Sequence, residues 1–91
     1  MKTKLCSPDI LLIDKLTKKI IPVEIKCIYK NPEWSTDVLR DYKIAKLQLK
    51  SCADLLYSYY YGFSLLIICF IYNDCITKKY IFDIKYIKII F

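Results

Sequence analysis

The chain has 91 residues, 15 Lys and Arg against 9 Asp and Glu for a net charge of +6, and a hydrophobic content of 56%. That describes one small domain, too apolar for a disordered basic tail, and 1 Gly with 3 Pro leaves no low-complexity linker. With no histidine in the chain, His-based acid–base catalysis, serine and cysteine triads and mixed Cys/His zinc sites are excluded, so any catalysis runs on carboxylates, lysines, tyrosines or thiols.

No internal repeat stands out, and the elements follow in the order β-β-α-β-β. Asp9 to Ile13 is a short apolar run, and Ile20 to Cys27 is a second one, richer in β-branched residues. The polar stretch Asp14 to Lys19 between them predicts a hairpin turn, without the Asn-Gly pair that would set its type. A loop from Ile28 to Trp34 follows, broken by Asn31-Pro32, and Ser35 or Thr36 is placed to cap a helix. Val38, Tyr42, Ala45, Leu49, Cys52, Ala53 and Leu56 recur at steps of three and four, which predicts an amphipathic helix over Thr36 to Tyr59, ended by Gly62. Phe63 to Tyr72 reads as a buried strand, Asn73-Asp74 as a turn and Ile76 to Ile84 as its partner; Lys85 to Phe91 fits either strand or helix. The fold class is therefore α/β or α+β, a mixed sheet layered on one long helix.

Leu55 to Tyr72 carries no charge and approaches the length of a membrane span. Ser58, Gly62 and Ser64 interrupt it, and its tyrosines cluster at Tyr57 to Tyr61 instead of at two interfaces, so no membrane is expected. The cysteines, Cys6, Cys27, Cys52, Cys69 and Cys75, form no C-x-x-C pair. Their odd number, with no signal peptide, points to small apolar residues in a reducing compartment, nuclear or cytoplasmic.

The residues that carry chemistry are Ser7-Pro8-Asp9 and Val23-Glu24-Ile25-Lys26-Cys27. On a strand, Glu24 and Lys26 share one face, and Val23, Ile25 and Cys27 share the other, where an apolar layer is expected. A hairpin centred between Leu16 and Thr17 sets Asp9 opposite Glu24, with β-carbons roughly 5 Å apart. Two carboxylates so close repel unless one is protonated or a cation lies between them, and Mg²⁺ is held by one or two carboxylates with water and phosphate. Two readings stand at this point. In one, Asp9 caps a turn after Pro8 while Glu24 and Lys26 make a solvated surface pair. In the other, the two acids hold a metal beside the Lys26 ammonium.

Pro8-Asp9 followed by Glu24-Ile25-Lys26 resembles the PD-(D/E)xK nuclease motif. Ser-Pro-Asp-Ile-Leu with Val-Glu-Ile-Lys-Cys is similar to the lambda-exonuclease-like branch, which includes the YqaJ viral recombinases and the alkaline nucleases of large DNA viruses. The resemblance covers Cys6 to Asp83 and implies a restriction-endonuclease-like core and a Mg²⁺-dependent deoxyribonuclease acting as an exonuclease, with Mn²⁺ as a substitute. It implies metal ligation by Asp9, Glu24 and the Ile25 backbone carbonyl, Lys26 as the catalytic lysine, and Gln48 as the helical glutamine near the scissile region. DNA is the implied partner. Lys30, Trp34, Lys43 and Lys46 are candidate contacts to it, the lysines to phosphate and Trp34 by stacking.

The family core normally opens with a helix that bears another acid, and only Met1 to Ser7 precede Pro8. The expectation is therefore a fragment, a decayed copy or a minimal domain that relies on a homo-oligomer or on a partner supplying the missing part, the apolar face so exposed favouring association. A catalytically inactive remnant serving as a nucleic-acid or protein interaction module is the alternative to the nuclease.

Overall fold

The computed structural model describes residues 8–30 and 36–91. Two hairpins flank a single helix: β1 (Ile10–Ile13), β2 (Ile20–Ile28), α1 (Thr36–Leu55), β3 (Ser64–Asp74) and β4 (Lys79–Ile89), with a 3-10 turn at Tyr57–Tyr59. The sheet order is β1-β2-β3-β4. β1 and β4 run antiparallel to their neighbours, and β2 and β3, joined through α1, run parallel. This is the α+β architecture expected, a mixed sheet with one helix.

The boundaries depart from the sequence reading in two places, and the tail that fits either strand or helix is resolved. The helix stops at Leu55 and Gly62 does not terminate it; Gly62 (φ 132°) instead lies between the 3-10 turn and β3. β3 runs on through Asn73-Asp74, and the turn falls one step later. The tail from Lys85 is strand, paired with β3 as far as Ile89 opposite Ser64. Leu55 to Tyr72 is thus divided among a helix end, a tight turn and a strand, and among the described residues no helix is long and apolar enough to cross a membrane. The breaker Asn31-Pro32 and the cap candidate Ser35 lie outside the described residues.

The helix stripe packs as its spacing demands. Val38, Ala45 and Leu49 meet Ile28, Leu66, Ile68, Phe70 and Ile89 in one cluster, with Tyr42 packed at its margin. Each such buried aliphatic contributes about 1.5–3 kcal/mol of transfer free energy. The parallel register pairs Glu24 with Leu66, Lys26 with Ile68 and Ile28 with Phe70, so these residues share the face that α1 covers. The expectation that Val23, Ile25 and Cys27 face an apolar layer holds for Val23, which is 1% exposed, and is reversed for Ile25 and Cys27, which are exposed further along the same face. Leu65, Ile67, Cys69 and Ile71 continue that open face, and Phe82 (65% exposed), Ile84 (47%) and Tyr86 (69%) complete it on β4. The physical reason is that β3 is apolar at every position from Leu65 to Ile71, so its two faces are indistinguishable by hydrophobicity, and α1 covers the one that carries Leu66, Ile68 and Phe70. The result is a thin slab of 50 × 36 × 21 Å. Its radius of gyration, 15.4 Å, exceeds the roughly 12 Å of a compact domain of this length.

Both hairpins close on one pattern, Asp-x-(Leu/Ile)-Thr-Lys-Lys, as Asp14-Lys-Leu-Thr-Lys-Lys19 and Asp74-Cys-Ile-Thr-Lys-Lys79, a local repeat that the linear reading passed over. In the first turn the Lys18 N–H donates to the Asp14 carbonyl at 2.8 Å, and Asp14 Oδ2 accepts from the Thr17 N–H at 2.8 Å and the Thr17 hydroxyl at 2.6 Å. In the second, the Lys78 N–H donates to the Asp74 carbonyl at 2.7 Å, and the Asp74 carboxylate accepts from the Ile76 N–H at 3.2 Å and the Thr77 hydroxyl at 2.8 Å. Lys18 (φ 62°) and Lys78 (φ 57°) supply the left-handed residue that each turn needs. Of the cysteines in the described residues, Cys27, Cys69 and Cys75 are free thiols and Cys52 is disulfide-bonded.

Two predictions follow from the turns. A left-handed Lys costs about 1–2 kcal/mol that Gly avoids, partly offset by the greater unfolded-state entropy of Gly. Lys18→Gly and Lys78→Gly should each raise stability by roughly 0.5–1 kcal/mol net, read as a higher urea midpoint at constant slope; a lowered midpoint would contradict the turn assignment. The threonine hydroxyl bonds hold the Asp14 and Asp74 carboxyls below the ordinary carboxylate range. A depressed folded pKa adds stability above the unfolded value that is lost as pH falls through the folded one. Thr17→Val and Thr77→Val should therefore move the matching carboxyl resonance upward in an acid NMR titration, and leave the other turn unchanged.

Candidate functional site

The site begins with a register. Ile10 pairs with Val23, Leu11 with Pro22, Leu12 with Ile21 and Ile13 with Ile20, the alignment that follows from a turn centred between Leu16 and Thr17. Carried one residue further, it places Asp9 opposite Glu24. β1 stops at Ile10, so the β1-facing edge of β2 is unpaired by strand beyond Val23. There the Asp9 side chain takes the place of a ladder partner, and its Oδ2 accepts the Ile25 N–H at 2.7 Å.

That bond orients the remaining backbone. The N–H and C=O of one strand residue point to the same side, so the Ile25 carbonyl opens on the same unpaired edge, next to the Asp9 carboxylate. Glu24 directs its backbone the other way, toward β3. Asp9 and Glu24 are thus in a non-hydrogen-bonded position, where facing α-carbons come to about 4.5 Å and side chains approach most closely. Pro22 fits by the same parity: its missing N–H faces the β3 side, where the parallel ladder starts only at Val23 opposite Leu65.

Glu24 is 6% exposed, and burial is the first cause that raises its carboxyl above the ordinary range. The negative charge of Asp9 raises it further, and Lys26, two residues along the same face, pulls it down by less. Asp9 is exposed and Lys26 half-buried. A buried acid beside an exposed acid disfavours two negative charges at once, a strain that either a proton or a cation between them relieves. Hard oxygen donors of this kind suit Mg²⁺ or Mn²⁺: two carboxylates and one carbonyl that share an edge fit such an ion. Among the described residues no group of three or more His, Cys, Asp or Glu side chains lies together, so the donor set rests on these two acids and the backbone.

The other candidates are spread more widely. Gln48 is exposed on α1 and makes no hydrogen bond to the described residues. It lies on the flank away from Lys50, whose ammonium stands 5.8 Å from the Phe91 ring centroid beyond the end of β4, and so on the flank nearer β1 and β2. Lys43 is exposed and Lys30 half-buried. Lys46 stands 6.0 Å from the Tyr42 ring centroid, a cation–π contact that ties it to its own helix. Trp34 lies outside the described residues. Sequence reasoning passed over Lys85. The registers Lys26 with Ile68 and Ile68 with Lys85 put it on the same face as Lys26, two strands or about 10 Å away. The signal was present: Asp83-Ile84-Lys85 repeats the acid-Ile-Lys order of Glu24-Ile25-Lys26, and Asp83 and Lys85 form an ion pair at 3.7 Å.

The chain matches no protein-family model, no curated protein and no solved structure.

Proposed function

We propose that this protein is a metal-dependent deoxyribonuclease of the PD-(D/E)xK type, built on a reduced restriction-endonuclease-like core and acting on DNA ends. The observation that carries the reading is the Asp9 carboxylate bonded to the Ile25 N–H at 2.7 Å, beside Glu24 and two residues from Lys26. Asp9, Glu24 and the Ile25 carbonyl would hold Mg²⁺, which supplies Lewis acidity and a water of lowered pKa when bound. Asp9 keeps β1 and β2 in the register that brings the two acids together. Lys26 offsets the negative charge that develops on the phosphate oxygens, in a half-buried setting where a fixed charge counts for more than in water. Lys85, on the same sheet face as Lys26, and the exposed Lys43 and Gln48 on opposite flanks of α1 would add contacts to the polyanion. The open sheet face is where a second copy of the chain would be seated.

The depth of Glu24 favours a second reading, a nuclease-fold module that binds without cleaving, because a hydrated ion must displace α1-side packing to reach an acid 6% exposed. Linear duplex DNA incubated with Mg²⁺ separates the two. Asp9→Ala, Glu24→Ala and Lys26→Ala should each lower Mg²⁺-dependent degradation by roughly a hundredfold or more, with helical content by circular dichroism retained. Undiminished cleavage by Glu24→Ala would end the proposed chemistry, and no cleavage by the parent chain alongside metal-independent DNA binding would favour the module.

A further prediction concerns the metal-free protein. Glu24 carries a charge that burial and Asp9 both disfavour, so Glu24→Gln should raise the thermal midpoint at neutral pH while abolishing any increase on adding Mg²⁺ or Mn²⁺. A lower midpoint for Glu24→Gln in the absence of metal would show the carboxylate to be structurally required, not poised for a cation.

A further inference from the structure

Alternate residues of β2 leave the sheet on opposite sides, and Cys27 leaves on the open one. The parallel register pairs it with Cys69 on β3. Both are free thiols, Cys27 exposed and Cys69 half-buried. Side chains of paired residues stand roughly perpendicular to the sheet and lean the same way, so the two sulfurs rise side by side at about the 4.8 Å spacing of the strands.

That spacing discriminates between two outcomes for a dithiol. A direct disulfide needs β-carbons at about 3.8 Å, which would draw the strands together by about 1 Å in the middle of a ladder that runs from Val23–Leu65 to Ile28–Phe70. One soft atom between the sulfurs, at about 2.3 Å from each, spans about 4.6 Å and needs no such movement. We propose that Cys27 and Cys69 form a two-thiolate site for one thiophilic ion of the monovalent copper class.

The donor set selects that class. Thiolates favour soft ions, and tetrahedral zinc wants four ligands. Among the described residues no third His, Cys, Asp or Glu side chain joins the pair, whereas a linear two-coordinate ion requires none. Ile84 faces Cys69 on β4, and Ile25, Ile67 and Ile71 surround the pair on the same face, an apolar collar that offers no oxygen donor to a hard cation. Binding replaces two thiol protons by the one ion, so two protons are released and no electron is transferred. Glu24 and Lys26 project from the opposite face, so the site does not depend on the nuclease reading.

The test uses the whole chain, kept free of oxygen and with the Cys52 disulfide intact. Copper(I) is titrated in competition with a chromogenic copper(I) chelator. Separately, the protein is treated with phenylarsine oxide, which bridges two neighbouring sulfurs through one arsenic, then alkylated and mapped by peptide mass. The arsenical should protect Cys27 and Cys69 together and leave Cys75 alkylated. Cys27→Ser and Cys69→Ser should each weaken copper(I) binding by roughly a hundredfold or more, with Cys75→Ser unchanged. Alkylation of Cys27 and Cys69 despite the arsenical overturns the proposal, as does unaltered copper(I) affinity in both serine variants. The mapping is done on the parent chain, so a variant that fails to fold cannot shield the idea.

Discussion

The arrangement depends on one side-chain-to-backbone bond, Asp9 Oδ2 to the Ile25 N–H. β1 is four residues long, a length at which an edge strand offers few ladder bonds of its own. Where it ends, a backbone amide of β2 would face solvent, and the Asp9 carboxylate satisfies it with a charge-assisted bond at 2.7 Å. The same bond aligns the Ile25 carbonyl and brings a second acid against Glu24. Ordering the short strand and assembling the oxygen donors are therefore one event. A register slip by one residue would send Asp9 to the open face and break both.

A second constraint is the choice of face. In a sheet covered on one side, an acid near the helix is shielded from water and an acid on the other side is not. Glu24 lies on the α1 side together with Leu66, close enough to the core to be buried, yet opposite an edge residue that is exposed. This asymmetry lifts Glu24 toward protonation while Asp9 remains in contact with solvent. In the proposed metal site the buried acid would hold the cation and the exposed partner would supply the way in.

Much of this was legible in the chain. The element order, the helix stripe and the hairpin register could be read because each rests on local periodicity or on the arithmetic of a turn: polar Asp14 to Lys19 fixes the centre, and the pairing follows. What could not be read was non-local. The face on which α1 settles is set by the register of β2 against β3 across more than forty residues, and β3 is apolar on both sides from Leu65 to Ile71, so no alternation marks the inner one. Gly62 reads as a helix stop, but its left-handed φ serves the approach to β3, after the chain has already left α1 at Leu55. The second turn was misplaced by its Asn73-Asp74 pair. Comparison with Asp14 to Lys19 corrects it, because in both strings the aspartate opens the turn and bonds forward to a threonine, and is not its centre.

The period of two along β2 separates two kinds of chemistry that would otherwise interfere. Glu24, Lys26 and the Ile25 carbonyl present oxygen and a fixed positive charge toward α1 and the β1 edge, while the Cys27 thiol rises beside Cys69 on the reverse side. Sulfur donors prefer soft ions and oxygen donors hard ones, so a strand that directs each donor type to its own face would keep the two proposed sites from competing for one metal. Four consecutive residues, Glu24 to Cys27, thereby serve two environments, one half-buried and charged, the other apolar and open. The backbone that joins them is paired to β3 throughout, which gives both faces the same rigid support.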